Sequence, residues 1–118
     1  MFKANQNSST YLKFLSLVQA IRDLPGFPSI DPVEERLLNL FAAAWHVDRK
    51  ITVLEAMGML SDISASTAHR RLKQLRQKGM LALQPDEVDN RIKYVVPTSL
   101  ATQYFAKLGE CLDKASGR

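Results

Sequence analysis

Only one of the 118 residues is cysteine, Cys111, which excludes an internal disulfide and a multi-cysteine zinc site and fits a reducing compartment. Long apolar runs are missing as well. None approaches the roughly 18 residues that a membrane-spanning helix requires, and Met1 to Thr10 is polar where a secretory signal carries its apolar core. A cytoplasmic location is the expectation. No phosphate loop, nucleophile elbow or paired-histidine metal motif occurs, so no enzyme is expected and no cofactor is implied. Histidine is scarce: His46 closes an apolar helix pattern and His69 sits in a basic one, which suits packing or surface roles and leaves no metal site. Cys111 falls on an apolar helical face, where inert packing is the commoner fate and redox sensing the alternative.

A further absence points somewhere. Between Ser64 and Lys78 there are five basic residues and no acid, whereas an ordinary solvated helix mixes the two signs. The net charge of +4 is concentrated around this segment. Met1 to Asp62 carries six basic and seven acidic residues, and Ile63 to Val96 carries seven basic and three acidic. A local positive excess of this kind is the electrostatic footprint expected for a polyanionic partner.

Hydropathy and punctuation divide the chain into elements. Residues 1–9 read as a flexible leader. From Thr10 the residues Leu12, Leu15, Val18, Ile21 and Leu24 keep helical spacing, with Phe14, Leu17 and Ala20 broadening the stripe, until Pro25-Gly26 breaks it. Asp31-Pro32-Val33-Glu34 supplies an N-cap, an N1 proline and a capping-box acid for a second helix to about His46, its buried face made by Leu37, Leu38, Leu40, Phe41, Ala44 and Trp45. Thr52 and Glu55 repeat the capping box and start a short third helix ending near Leu60. Ser64 caps a fourth, which reaches Lys78 and stops at Gly79.

After Gly79, the apolar run Met80 to Leu83, the turn-rich Pro85 to Asn90 and the alternating Arg91 to Val96 predict a β-hairpin. A last helix is capped by Thr98 or Ser99, with Ala101, Tyr104, Phe105, Leu108, Cys111 and Leu112 on its apolar face. The length allows one compact domain, residues 10–118, and the order of elements is that of a winged helix-turn-helix: mainly α with a small β-hairpin (α+β).

On the fourth helix Ala68, Leu72 and Leu75 mark the core side, which leaves the other positions to a partner. Small hydroxyl residues at its start, Ser64, Ser66 and Thr67, allow close approach to a duplex, and the free N–H groups there suit phosphate. Arg70 or Arg71 is placed to read guanine, Lys73 or Arg76 to hold phosphate, and His69 shares the basic stretch. At the hairpin, Asn90, Arg91 and Lys93 can reach the minor groove or backbone, with Arg91 the leading candidate; the competing role is a salt bridge to Asp86, Glu87 or Asp89.

Over Ile51 to Tyr104 the chain resembles the MarR family of winged-helix regulators. The resemblance is carried by Thr52 to Ala56, Ser64 to Leu75, Gly79-Met80-Leu81 and the wing motif Asp89-Asn90-Arg91. It implies a sequence-specific, double-stranded DNA-binding transcriptional regulator. Ser64 to Lys73 would make major-groove contacts and Arg91 a minor-groove contact, with Asp89 supporting the wing arginine. The family's basic residue near Leu83 and its glycine near Ala101 are replaced. The C-terminal helical region is short, so the ligand-sensing side of the resemblance is not carried over and any small-molecule effector is unspecified. Broad apolar faces on residues 10–24 and 98–114 predict a homodimer. Two other uses of the module stay open: a protein-protein interaction domain, and a DNA-binding component of replication, partition or phage machinery.

Overall fold

The structure, a computed structural model, describes residues 5–117. The elements run α1 (Gln6–Arg22), α2 (Pro32–His46), β1 (Ile51–Thr52), α3 (Val53–Met57), α4 (Ala65–Gln77), β2 (Leu81–Pro85), β3 (Lys93–Pro97) and α5 (Ser99–Ser116). Backbone proximity groups them into two compact units, residues 30–101 and the described residues on either side of that span.

In the unit of residues 30–101 each helix starts where its side chains satisfy the orphan amides. Asp31 accepts from the Glu34 amide at 2.8 Å while the Glu34 carboxylate accepts from the Asp31 amide at 3.0 Å, a reciprocal cap on α2. Thr52 and Glu55 do the same for α3. The Ser64 hydroxyl accepts from the Thr67 amide at 3.1 Å and starts α4. The end of α4 is a Schellman arrangement: Gly79 donates to Arg76 and Met80 donates to Leu75, both at 3.0 Å, with Gly79 at φ +80°.

The core of this unit is apolar side chains from every element. Leu37, Leu38 and Phe41 of α2 meet Leu72 and Leu75 of α4, together with Ile51, Met80, Leu81 and Val95, all buried. Trp45 is half-buried, and its indole N–H donates to the Val95 carbonyl at 2.9 Å, which ties α2 to the sheet.

The sheet has three antiparallel strands in the order β1-β3-β2, with Ile51 opposite Val95 and Leu83 opposite Val95 on the other side. A two-stranded hairpin was the sequence expectation. Two residues cannot show an alternating pattern, and Thr52 carries a cap signature, so β1 leaves no periodic trace. The third helix also ends earlier than expected, with Gly58 as its C-cap.

In the other unit α1 begins at Gln6, capped by Asn5, whose side chain accepts from the Ser8 amide at 2.8 Å. The expected leader is therefore helical from Gln6 to Ser9. Residues 1–4, the rest of it, lie outside the described residues. Val18 is the buried residue of α1, whereas Tyr11, Leu12 and Leu15 are exposed by 59%, 42% and 43%. On α5 Tyr104, Cys111 and Ala115 are buried, and Phe27 meets the Tyr104 ring edge-on at 5.4 Å between centroids. Leu112 is exposed. Among the described residues no helix is long and apolar enough to cross a membrane, and no three His, Cys, Asp or Glu side chains converge as a metal site would need.

Candidate nucleic-acid interface

The basic helix sorts its cations into two sets. Ala68, Leu72 and Leu75 are buried, so a rotation of 100° per residue turns Ser66, His69, Arg70, Lys73 and Arg76 to solvent, and all five are exposed. Ser64 is exposed at the helix start and donates to the Thr67 hydroxyl at 2.9 Å; Thr67 is half-buried beneath it. The small hydroxyls thus form a low, polar N-terminal shelf, and Arg70, Lys73 and Arg76 follow as a basic stripe along the same helix.

Arg71 is placed differently from its neighbour. Its guanidinium pairs with the Asp31 carboxylate and donates to Gln74 at 3.0 Å, and the side chain is only 27% exposed. Arg71 therefore faces α2, and of the two guanine-reading candidates Arg70 is the one left facing outward. The sequence held a signal for this: Arg71 lies three residues after Ala68 and four before Leu75, on the shoulder of the apolar stripe. Lys78, which was not singled out in the sequence, is the second inward cation and reaches the buried carboxylate of Glu34 at 2.6 Å.

The wing is the β2–β3 hairpin with residues 86–92 as its tip. Asp86 and Asp89 build the turn. Asp86 accepts from the Val88 and Asp89 amides at 3.0 Å each and from the Tyr94 hydroxyl at 2.7 Å, and these bonds hold its carboxyl down at about 2. The same contact raises the Tyr94 phenol. Lys50 lies 5.1 Å from the centre of the Tyr94 ring on the strand side. Asp89 takes Arg91 in a two-pronged pair, Nε to Oδ1 at 2.9 Å and Nη2 to Oδ2 at 3.0 Å, which keeps the carboxyl below and the guanidinium above their ordinary values.

Of the sequence alternatives for Arg91, the salt bridge to Asp89 is present. The Arg91 side chain nevertheless remains 87% exposed, so the salt bridge aims the arginine without enclosing it. Asn90 and Lys93 are also exposed. Beneath the wing a cleft of about 580 Å³ has Val53, Leu54, Met57 and Ile92 among its lining residues, with Arg91 and Lys93 also on its wall. Leu54 is 77% exposed there.

No family model matches the chain, and no curated protein sequence matches it. Solved structures do. The haem sensor protein PefR from Streptococcus agalactiae in complex with haem aligns at a TM-score of 0.55 and 26% identity over 88% of this chain. The transcriptional regulator Tm0710 from Thermotoga maritima aligns at 0.63 and 16% over 92%. A probable transcriptional regulator from Pseudomonas aeruginosa aligns at 0.53 and 14% over 92%. The chain spans 65% of the PefR chain, 68% of Tm0710 and 77% of the Pseudomonas protein. The fold is the winged helix of MarR-like transcriptional regulators, shared here with two regulators and a haem sensor.

Proposed function

We propose that this chain is a cytoplasmic, homodimeric transcriptional regulator that binds double-stranded DNA sequence-specifically, with α4 in the major groove and the wing at the minor groove. The carrying observation is the outward stripe of Arg70, Lys73 and Arg76 behind the Ser64 and Ser66 shelf, with no acid on α4 to neutralise it. An α-helix fits the major groove, and an arginine can take the O6 and N7 of guanine in two parallel hydrogen bonds. Arg70 is assigned that role, Lys73 and Arg76 the phosphates, and Arg91 with Asn90 and Lys93 the flanking minor groove or backbone. The exposed Tyr11, Leu12 and Leu15 of α1 and Leu112 of α5 support the second copy, because an apolar surface of this kind is unusual on a free monomer.

PefR binds haem. A haem iron takes an axial side chain inside an apolar pocket, and here both histidines, His46 and His69, are exposed. Neither histidine is enclosed as such a ligand would be, and no step is assigned to haem.

The test is selection from a random duplex library by the purified chain across a salt series, beside an Arg70→Ala/Lys73→Ala variant. A pseudo-palindromic motif, affinity that falls steeply with salt, and loss of the motif in the variant are the expected results. Equal indifference of both proteins to DNA at low salt would overturn the reading. It would favour protein contact, for which the exposed Leu54 and the cleft beside it are the supporting features.

A further inference from the structure

Two ion pairs join α2 and α4, and both end on the capping box of α2. Asp31 is the N-cap of α2 and Glu34 its third residue; Arg71 and Lys78 lie seven residues apart, two turns along one side of α4. The Glu34 side chain is 1% exposed, with one oxygen shared between the Asp31 amide and Lys78 and the other, Oε2, buried without a partner among the described residues. Arg71 Nε is likewise buried and has no partner among the described residues.

This is a poor way to gain stability. Burying the Glu34 carboxylate costs desolvation, its partly exposed partners recover only part of that, well-packed apolar residues of the same volume often do as well, and each orphaned polar atom adds to the cost. It is a good way to fix geometry. Apolar contacts through Ala68, Leu72 and Leu75 tolerate sliding and small rotation, while two anchors about 10.5 Å apart along the α4 axis, at 1.5 Å per residue, do not. A one-residue slip would rotate the helix by about 100° and carry Arg70 and Lys73 off the outward face.

We infer that Asp31, Glu34, Arg71 and Lys78 are positioning residues that set the rotation and pitch of α4, and so govern the sequence selectivity of DNA binding without touching DNA. The inference rests on the reading of α4 as the groove-entering helix. It also predicts which property changes. Neither inward cation contacts phosphate, so general attraction to DNA is independent of both pairs, and selectivity is not.

Two near-isosteric neutral pairs test this, one at each anchor: Glu34→Gln/Lys78→Met, which keeps the capping acceptor, and Asp31→Asn/Arg71→Gln, which keeps a good N-cap. The readout is the ratio of affinities for the motif selected by the wild type and for a scrambled duplex of equal length, with the salt slope measured on both. Each variant is expected to keep its far-UV circular dichroism, its affinity for the scrambled duplex and its salt slope, while the ratio falls about tenfold or more. An unchanged ratio in a folded variant overturns the inference and leaves the reading of α4 standing. Failure of both pairs to fold also overturns it, since the charges would then serve stability. A wild type that enriches no motif removes the reading of α4, and the inference falls with it.

Discussion

At the scale of single residues, Gly79 ends α4 and sets the direction of β2. Its φ of +80° is left-handed, and a Cβ there would meet the nearest atom, on Leu100, at an ordinary 3.7 Å. The cost of a side chain is therefore backbone strain with little crowding. Gly79→Ala should lose about 1–2 kcal/mol by urea denaturation, the usual penalty for an L-residue in this region, and Gly79→Asn should lose less because asparagine tolerates it better. Equal losses in the two variants would point to crowding instead.

Asp86 is the residue whose protonation the wing feels. The Tyr94 hydroxyl and the Asp89 and Val88 amides depress its pKa from 3.8 to about 2. Between those values the unfolded chain binds the proton and the folded chain does not, so stability rises with pH there. The contribution is fully present above about pH 4 and is lost as pH falls through about 2. The thermal midpoint of the wild type should drop more between pH 4 and pH 2 than that of Asp86→Asn, which is the less stable protein at neutral pH. Parallel melting curves for the two proteins over that range would contradict this account.

At the scale of elements, α4 was almost wholly legible in the sequence, because a serine cap, an apolar stripe and a terminal glycine are local signals with local causes. Which cations face outward was less so. Arg70 and Arg71 are adjacent, and only their rotation relative to Ala68, Leu72 and Leu75 separates a solvent-facing arginine from one bound to Asp31. The role of Glu34 was hidden for another reason: the capping box explains the residue completely within its own helix, so nothing local asks for the partner 44 positions away. The strand β1 was missed because it is too short to have a period.

For the wing, two of its three acids, Asp86 and Asp89, are engaged inside the turn, with the Val88 and Asp89 amides, Tyr94 and Arg91. Arg91→Ala should therefore leave stability within about 0.5 kcal/mol of wild type, as expected for an exposed side chain, while weakening the bound complex. Titration of the selected duplex over a salt series separates its two possible partners. If Arg91 holds phosphate, the slope falls by about one for each wing. If it enters the minor groove, preference for A·T flanks disappears instead. A variant that binds with wild-type affinity and preference would remove the wing from the interface.

At the scale of the whole molecule, the charge that the proposed interface would offer to DNA can be counted. Arg70, Lys73 and Arg76 of α4 with Arg91 and Lys93 of the wing give five exposed cations per chain, and Arg71 and Lys78 are excluded by their pairs with Asp31 and Glu34. At roughly −0.9 per phosphate neutralised, one chain has an upper limit near −4.5 for the slope of log affinity against log salt, and a symmetric pair has about twice that. The count thus becomes a test of assembly. Tyr11, Leu12 and Leu15 form the exposed apolar strip of α1, and Leu12→Glu/Leu15→Glu places two charges where a second copy would have to bury them. Wild type should sediment at twice the monomer mass at micromolar concentration, and it should select two half-sites about one helical turn, or roughly 34 Å, apart. The double variant should sediment as a monomer, select a single half-site and show about half the wild-type salt slope. The wild type and variant reaching the same slope on the same half-site would mean that each chain binds alone and that the apolar strip of α1 serves something other than a second copy.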